Sequence, residues 1–196
     1  MFLEPVAPGC RQAIASELGF SETVFFDDPA TGALQIFTPT EELALAGHPL
    51  VGAAWLLGDE RALRPPAGEV PVRRAEGLVW ISAPARWAPA WNLVEVAGPE
   101  AVDRARPRPD AADYVWAWAD REAGAVRARC FAAAYGIEED QATGSAAMRL
   151  VAQCGRPLVI RQGAGSVIHA RPEPDGRVAI GGRVVREERR SYPGPA

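Results

Sequence analysis

Three acids run into a Thr-Gly-Ser turn at Glu138-Glu139-Asp140-Gln141-Ala142-Thr143-Gly144-Ser145, and a mostly apolar run follows to Gly155. This is the pattern of a helix start. Thr143 or Ser145 can cap, small residues expose the backbone, and Gly155 suits the exit. The first turn of such a helix presents free N–H groups and partial positive charge, so it can hold a carboxylate. Side-chain carboxylates in front of an anion-binding helix end suggest acid–base chemistry beside a bound acid. A second stretch matches it: Ala46-Gly47-His48-Pro49 leads into an uncharged run to Leu57, with Gly58 after it. Pro49 fits the first helical position. The absence of charge between Pro49 and Leu57 predicts a helix buried on all sides. Gly47 and Gly144 lie 97 positions apart in a chain of 196, which suggests two copies of one unit whose helix starts face a shared cleft.

The remaining candidates are single residues. Glu22 stands between a helix and an apolar strand, where a carboxylate is costly unless paired or functional. Each candidate also has a plain reading. Glu22 can be a solvated strand start and His48 a helix-capping histidine. Glu139 and Asp140 can be favourable charges near a helix N-terminus, and Ser145 can bond its own backbone. None is specific alone; together they fall at matching places in the two halves.

The elements that must position these residues follow from local pattern. Residues 8–19 read as a helix, with Pro8 at its start and Gly19 at its exit, and Met1–Pro5 as the end of a strand. Strands are predicted at 21–27 and 33–38 across an Asp28-Pro29-Ala30-Thr31-Gly32 turn, then at 69–74, 78–83 and 92–97. A charged, proline-broken segment, 98–113, has one helical piece and reads as a connection between halves 1–97 and 98–196. The second half adds strands at 114–119, 126–131, 157–162, 166–171, 177–180 and 184–187, and a loose tail from Arg189. The expected class is α+β: two pseudo-symmetric domains, each a bent, mostly antiparallel sheet around a central buried helix. Tyr114, Trp116 and Trp118 share one strand face and read as core or dimer packing rather than a substrate shelf.

Composition narrows the chemistry. Apolar residues make up 48% of the chain, enough for a real core. The net charge is −4 with no basic block, which argues against nucleic acid as a partner. All 21 basic residues are arginine, which excludes Schiff-base and P-loop lysine chemistry. The three cysteines form no metal or disulfide pattern and suggest a reducing cytoplasm. No apolar run is long enough to span a membrane, and no signal-peptide pattern opens the chain.

The chain resembles the PhzF-like isomerases of the phenazine-biosynthesis type, which share the diaminopimelate epimerase fold. The resemblance rests on Leu18-Gly19-Phe20-Ser21-Glu22-Thr23-Val24-Phe25, Ile36-Phe37-Thr38-Pro39, Leu45-Ala46-Gly47-His48-Pro49 and Glu139-Asp140-Gln141-Ala142-Thr143-Gly144-Ser145-Ala146. Gln162-Gly163 and Ile180-Gly181-Gly182 add weaker support. It implies a cofactor-free, metal-free enzyme acting on a small carboxylic acid between two domains, and a homodimer. Glu22 is then the general acid/base, His48 orients substrate and assists proton transfer, and Asp140 faces them with Ser145. Backbone around Gly47, Thr143, Gly144 and Ala146 would hold the substrate carboxylate. Burial should raise the Glu22 carboxyl pKa and favour its proton-bearing form.

The sequence departs from that pattern in places. Gln141 stands where proline is usual, a Gly-Arg-Pro block is missing after Gln162-Gly163, and the first strand with its Gly-Asn-Pro turn is absent. That absence predicts an exposed sheet edge and puts activity in question. Asp27-Asp28-Pro29-Ala30-Thr31-Gly32 spells the Asp-Pro-Ala-Thr-Gly motif more faithfully than residues 140–144, but strands flank it, so it reads as a hairpin turn. Two competing functions stand beside the isomerase. A non-catalytic small-acid-binding paralogue is one. The other is a two-thiol epimerase or racemase, for which Cys10, Cys130 and Cys154 lie outside the expected positions.

Overall fold

The computed structural model describes all residues except 190 and 193–196. The end of the tail expected to be loose therefore lies outside the described residues. Helix α1 (Pro8–Leu18) starts on proline and stops where Gly19 turns left-handed at φ 64°. Strands β1 (Thr23–Asp28) and β2 (Ala33–Phe37) pair antiparallel, and β3 (Glu42–Leu43) adds to β2 in a three-stranded sheet. The Asp28–Gly32 segment is the hairpin turn expected of it, closed by Ala30 N–H on Asp28 Oδ1 at 2.9 Å. Met1–Pro5 forms no strand. Phe2 alone bridges β1, through Phe2 N to Val24 O at 2.8 Å and Phe26 N to Phe2 O at 3.0 Å, and so occupies part of the edge expected to be open.

Helix α2 (Gly47–Leu57) has no exposed residue, as its uncharged sequence predicts. It begins two residues earlier than expected, so Pro49 is third rather than first. It is still tolerated there, because the ladder starts only with Leu50 N on Ala46 O. Strands β4 (Val72–Ala75), β5 (Leu78–Pro84) and β6 (Asn92–Glu95) follow, then helix α3 (Pro99–Arg104). The second half contributes β7 (Ala112–Asp120), β8 (Ala125–Ala132), β9 (Ile137–Asp140), helix α4 (Gly144–Cys154), β10 (Leu158–Gln162), β11 (Ser166–Pro172) and β12 (Arg177–Gly182). These strands form one large sheet in the order β4-β5-β12-β11-β10-β8-β7-β6, with β9 on β8. Pairing is antiparallel except at β6–β7 and β8–β10. The expected division near residue 98 falls just before α3, and the sheet continues across it where β5 pairs with β12.

The fold is α+β. Its main core packs Leu50, Ala53 and Ala54 of α2 and Met148, Leu150 and Val151 of α4 against both sheets. Tyr114 and Trp116 are core residues, and Trp118 sets its ring edge-on to Trp116 at 5.4 Å. Beside the Met1–Pro5 strand, one more local expectation fails. Residues 184–187 form no strand, since β12 already finds β5 and β11 on its two sides. The acids at 138–140 stand in front of α4 as expected and belong to β9, where Glu138 is exposed, Glu139 pairs with Arg129 at 2.6 Å, and Asp140 is buried.

Candidate active site

The starts of α2 and α4 abut. A Cβ built on Gly47 would lie 2.6 Å from the Gly144 Cα, and one on Gly144 would lie 3.0 Å from the His48 backbone nitrogen. Only glycine at both positions lets the two backbones approach this closely. Neither helix has a side-chain N-cap. The first ladder bond of α4 runs from Ala147 N to Thr143 O, so the N–H groups of Ser145 and Ala146 precede it, as those of Gly47 and His48 precede that of α2. Two partial positive ends thus converge on one small cleft.

The cleft is lined by Glu22, Gly47, His48, Asp140, Thr143, Gly144 and Ser145, with Trp91, Tyr135, Thr38 and Ile137 around them. Glu22 lies just before β1, His48 is the second residue of α2, Asp140 ends β9, and Ser145 is the second residue of α4. Folding therefore brings Glu22, His48 and Asp140 within 4.8 Å of one another through donor atoms. Ala146 is also at the helix start, but its side chain packs into the core. The three clustered side chains have the donor types of a metal site, but Glu22 and His48 are engaged with each other. Cys130 sits behind the cluster, opposite Asp140 across β8–β9, and burial pushes its thiol up, away from the reactive thiolate; Cys10 is exposed.

Electrostatics divide the two carboxylates. Glu22 Oε2 lies 3.1 Å from His48 Nε2, with the Glu22 side chain 9% exposed. Burial is the largest influence and alone would raise the Glu22 carboxyl, as the sequence suggests, but the facing His48 charge and the bonds from His48 and Ser21 together outweigh it and hold the carboxyl below its ordinary value. The expected proton-bearing Glu22 is thus corrected to a carboxylate. Burial likewise disfavours charge on His48, but Glu22, then Asp140 and the Ala142 backbone, lift it to about 9. Asp140 goes the other way. Burial raises its carboxyl and the Glu22 charge adds to that, against the opposing pull of His48 and the bonds from Thr143 and Ala142. Glu22 Oε2 is buried, and His48 Nε2 is the cation that faces it.

Thr143 is placed at the α4 N-cap but does not cap it. Its hydroxyl donates to Asp140 Oδ2 at 2.6 Å, and its oxygen accepts from Gln162 Nε2 at 2.8 Å rather than from a helix N–H. The Ser145 hydroxyl accepts the Trp91 indole N–H at 3.0 Å, so its own proton is free to go to a ligand. Trp91 was not singled out by sequence; it is 54 positions from Ser145 and stands outside any motif. Gln141, the departure from the expected proline, accepts Ala164 N–H at 2.8 Å through Oε1 and fills the space against Gly163.

Comparison with known proteins places this geometry in context. A family model described as phenazine biosynthesis-like protein (PhzC-PhzF) matches residues 9–123. Trans-2,3-dihydro-3-hydroxyanthranilate isomerase from Pseudomonas aeruginosa is 32% identical over 200 residues, covering 78% of this chain and 71% of the relative. The protein of the same name from Pseudomonas fluorescens is 29% identical, covering 82% and 77%. A crystal structure of a PhzF-family phenazine biosynthesis protein from Enterococcus faecalis superposes with a TM-score of 0.73 at 21% identity, covering 92% of this chain and 86% of that one.

Proposed function

The chain belongs to the phenazine biosynthesis-like (PhzC-PhzF) family of isomerases, and we propose that it moves a proton between carbons of a small carboxylic acid without a cofactor, Glu22 carrying the proton. The observation that carries this reading is the meeting of Glu22, His48 and Asp140 within 4.8 Å, beside two abutting helix starts. The free N–H groups of those starts and the Ser145 hydroxyl suit the substrate carboxylate.

The reaction then begins with Glu22 as base. A C–H bond next to an unsaturated system breaks, the proton goes to Glu22 Oε2, and the electron pair moves along the conjugated system. Glu22, now neutral, returns the proton to a different carbon, and the pair forms the new C–H bond. The His48 imidazolium and the raised Asp140 carboxyl supply positive charge and a proton where negative charge develops. No proton is gained or lost overall.

The dihydro-hydroxyanthranilate processed by the matched relatives is the first acid to try. Turnover in D2O, followed by NMR, should show isomerisation, with deuterium at the new C–H in the fraction of turnovers in which the Glu22 proton exchanges with solvent before its return. Glu22→Gln should abolish both while ligand binding persists. Binding without turnover of any acid in a panel by the unmodified protein would instead identify a small-acid-binding protein.

A further inference from the structure

Behind the cleft, a line of buried donors ends on Asp140. Gln162, the last residue of β10, is completely buried. Its Nε2 carries two protons and meets two acceptors, the main-chain oxygen of Asp140 and Thr143 Oγ1, each at 2.8 Å. Because a main-chain carbonyl can only accept, the amide cannot be turned over without setting oxygen against oxygen. Its Oε1 accepts the Tyr114 hydroxyl at 3.1 Å. Tyr114 is wholly buried, and burial pushes its phenol well above the ordinary value, so it stays a donor. With a Gln162 N–H on its lone pair, Thr143 directs its single proton to Asp140 Oδ2 at 2.6 Å. The order of donation is therefore Tyr114 to Gln162 to Thr143 to Asp140.

We propose that Gln162 is a positioning residue of the proton-transfer site: it holds the Thr143 hydroxyl with its proton on Asp140 Oδ2, commits that oxygen as an acceptor, and leaves Oδ1 as the oxygen that exchanges a proton. Oδ1 takes only the Ala142 N–H, at a long 3.3 Å. The inference rests on the reading of Asp140 as a member of the acid–base set. The other titratable groups facing Asp140 are Glu22 and His48 across the cleft, Cys130 on β8 and Tyr114 on β7. Burial and the Glu22 charge push Asp140 toward its neutral form, and a hydroxyl committed to Oδ2 opposes that push. Without the commitment, Asp140 would be pushed further toward its neutral form and would give up its proton less readily.

The test is a pH titration of the Asp140 carboxyl by 13C NMR on aspartate-labelled protein, with the resonance assigned by Asp140→Asn. Thr143→Val should raise the Asp140 midpoint by about one pH unit, a tenfold change in proton affinity, and Thr143→Ser should restore it. Gln162→Met should raise the midpoint in the same direction, and Tyr114→Phe by less. A Gln162→Met midpoint equal to the unmodified one, with Thr143→Val raised, would make Gln162 a mere brace and overturn the proposal, as would no change in Thr143→Val. If Gln162→Met does not fold, Tyr114→Phe decides, an unchanged midpoint there being adverse. The titration needs no substrate, so failure of the protein to turn over any acid would tell against the proposed reaction alone.

Discussion

Helices α2 and α4 are alike at both ends: each is 11 residues long, starts on a glycine and stops at a left-handed glycine, Gly58 and Gly155. Their surroundings differ. α2 has no exposed residue, whereas Ala152 and Gln153 of α4 reach solvent. The larger difference is in the charge each half brings to the cleft. The N-terminal half supplies Glu22 with His48 beside it, and that carboxyl is held low. The C-terminal half supplies Asp140, which faces Glu22 and takes its own bonds from the neutral donors Thr143 and Ala142, and that carboxyl is raised. Two buried carboxyls in one cleft thus shift in opposite directions, because a pKa is set by what faces the group rather than by the residue type.

The contrast can be broken most severely at Glu22. Glu22→Gln removes the base while leaving the shape, and kcat should fall by roughly 10²–10⁴-fold with binding retained, measured by turnover and by calorimetry of a non-reacting acid. Next comes the join between the halves. Gly47→Ala puts a methyl group 2.6 Å from the Gly144 Cα, which is backbone and cannot swing aside. Thermal unfolding should show a loss of about 1–3 kcal/mol, and ligand binding should weaken sharply as the helix starts are forced apart.

His48→Asn removes the group that separates the two carboxylates. Burial of Glu22, the largest influence on it, is then opposed only by the Ser21 bond, so its midpoint should rise above the ordinary glutamate value in an NMR titration, and kcat should fall roughly tenfold or more. The same pair predicts a pH dependence of stability. His48 is raised from 6.5 to about 9, so its stabilisation is fully present below pH 6.5 and lost as pH rises through about 9. The thermal midpoint should decline across that window in the unmodified protein, and His48→Asn should lack that component of the decline. The smallest expected effect belongs to Trp91→Phe, which frees the Ser145 hydroxyl from its one indole donor. KM should rise a few-fold, about 1 kcal/mol, with kcat nearly unchanged.

Local pattern was enough to locate both buried helices, because proline, glycine and an uncharged run act within a few residues. It was also enough to name Glu22, His48, Asp140 and Ser145, which stand in recognisable motifs and meet in one cleft. It was not enough for Trp91 or Tyr114, whose partners lie 54 and 48 positions away. Gln162 was legible only as half of a Gln-Gly pair, with no hint of its two buried acceptors.

The sequence by itself determined where the chain turns, which runs are buried and which side chains can carry protons, since these follow from backbone preference and side-chain chemistry. Only the tertiary structure decided which carboxyl is held low. Desolvation alone would have raised both, and it took the approach of His48 to Glu22, 26 positions earlier in the chain, to reverse the sign at one of them. Charges interact through space, and the spacing between elements is set by packing rather than by neighbours in sequence.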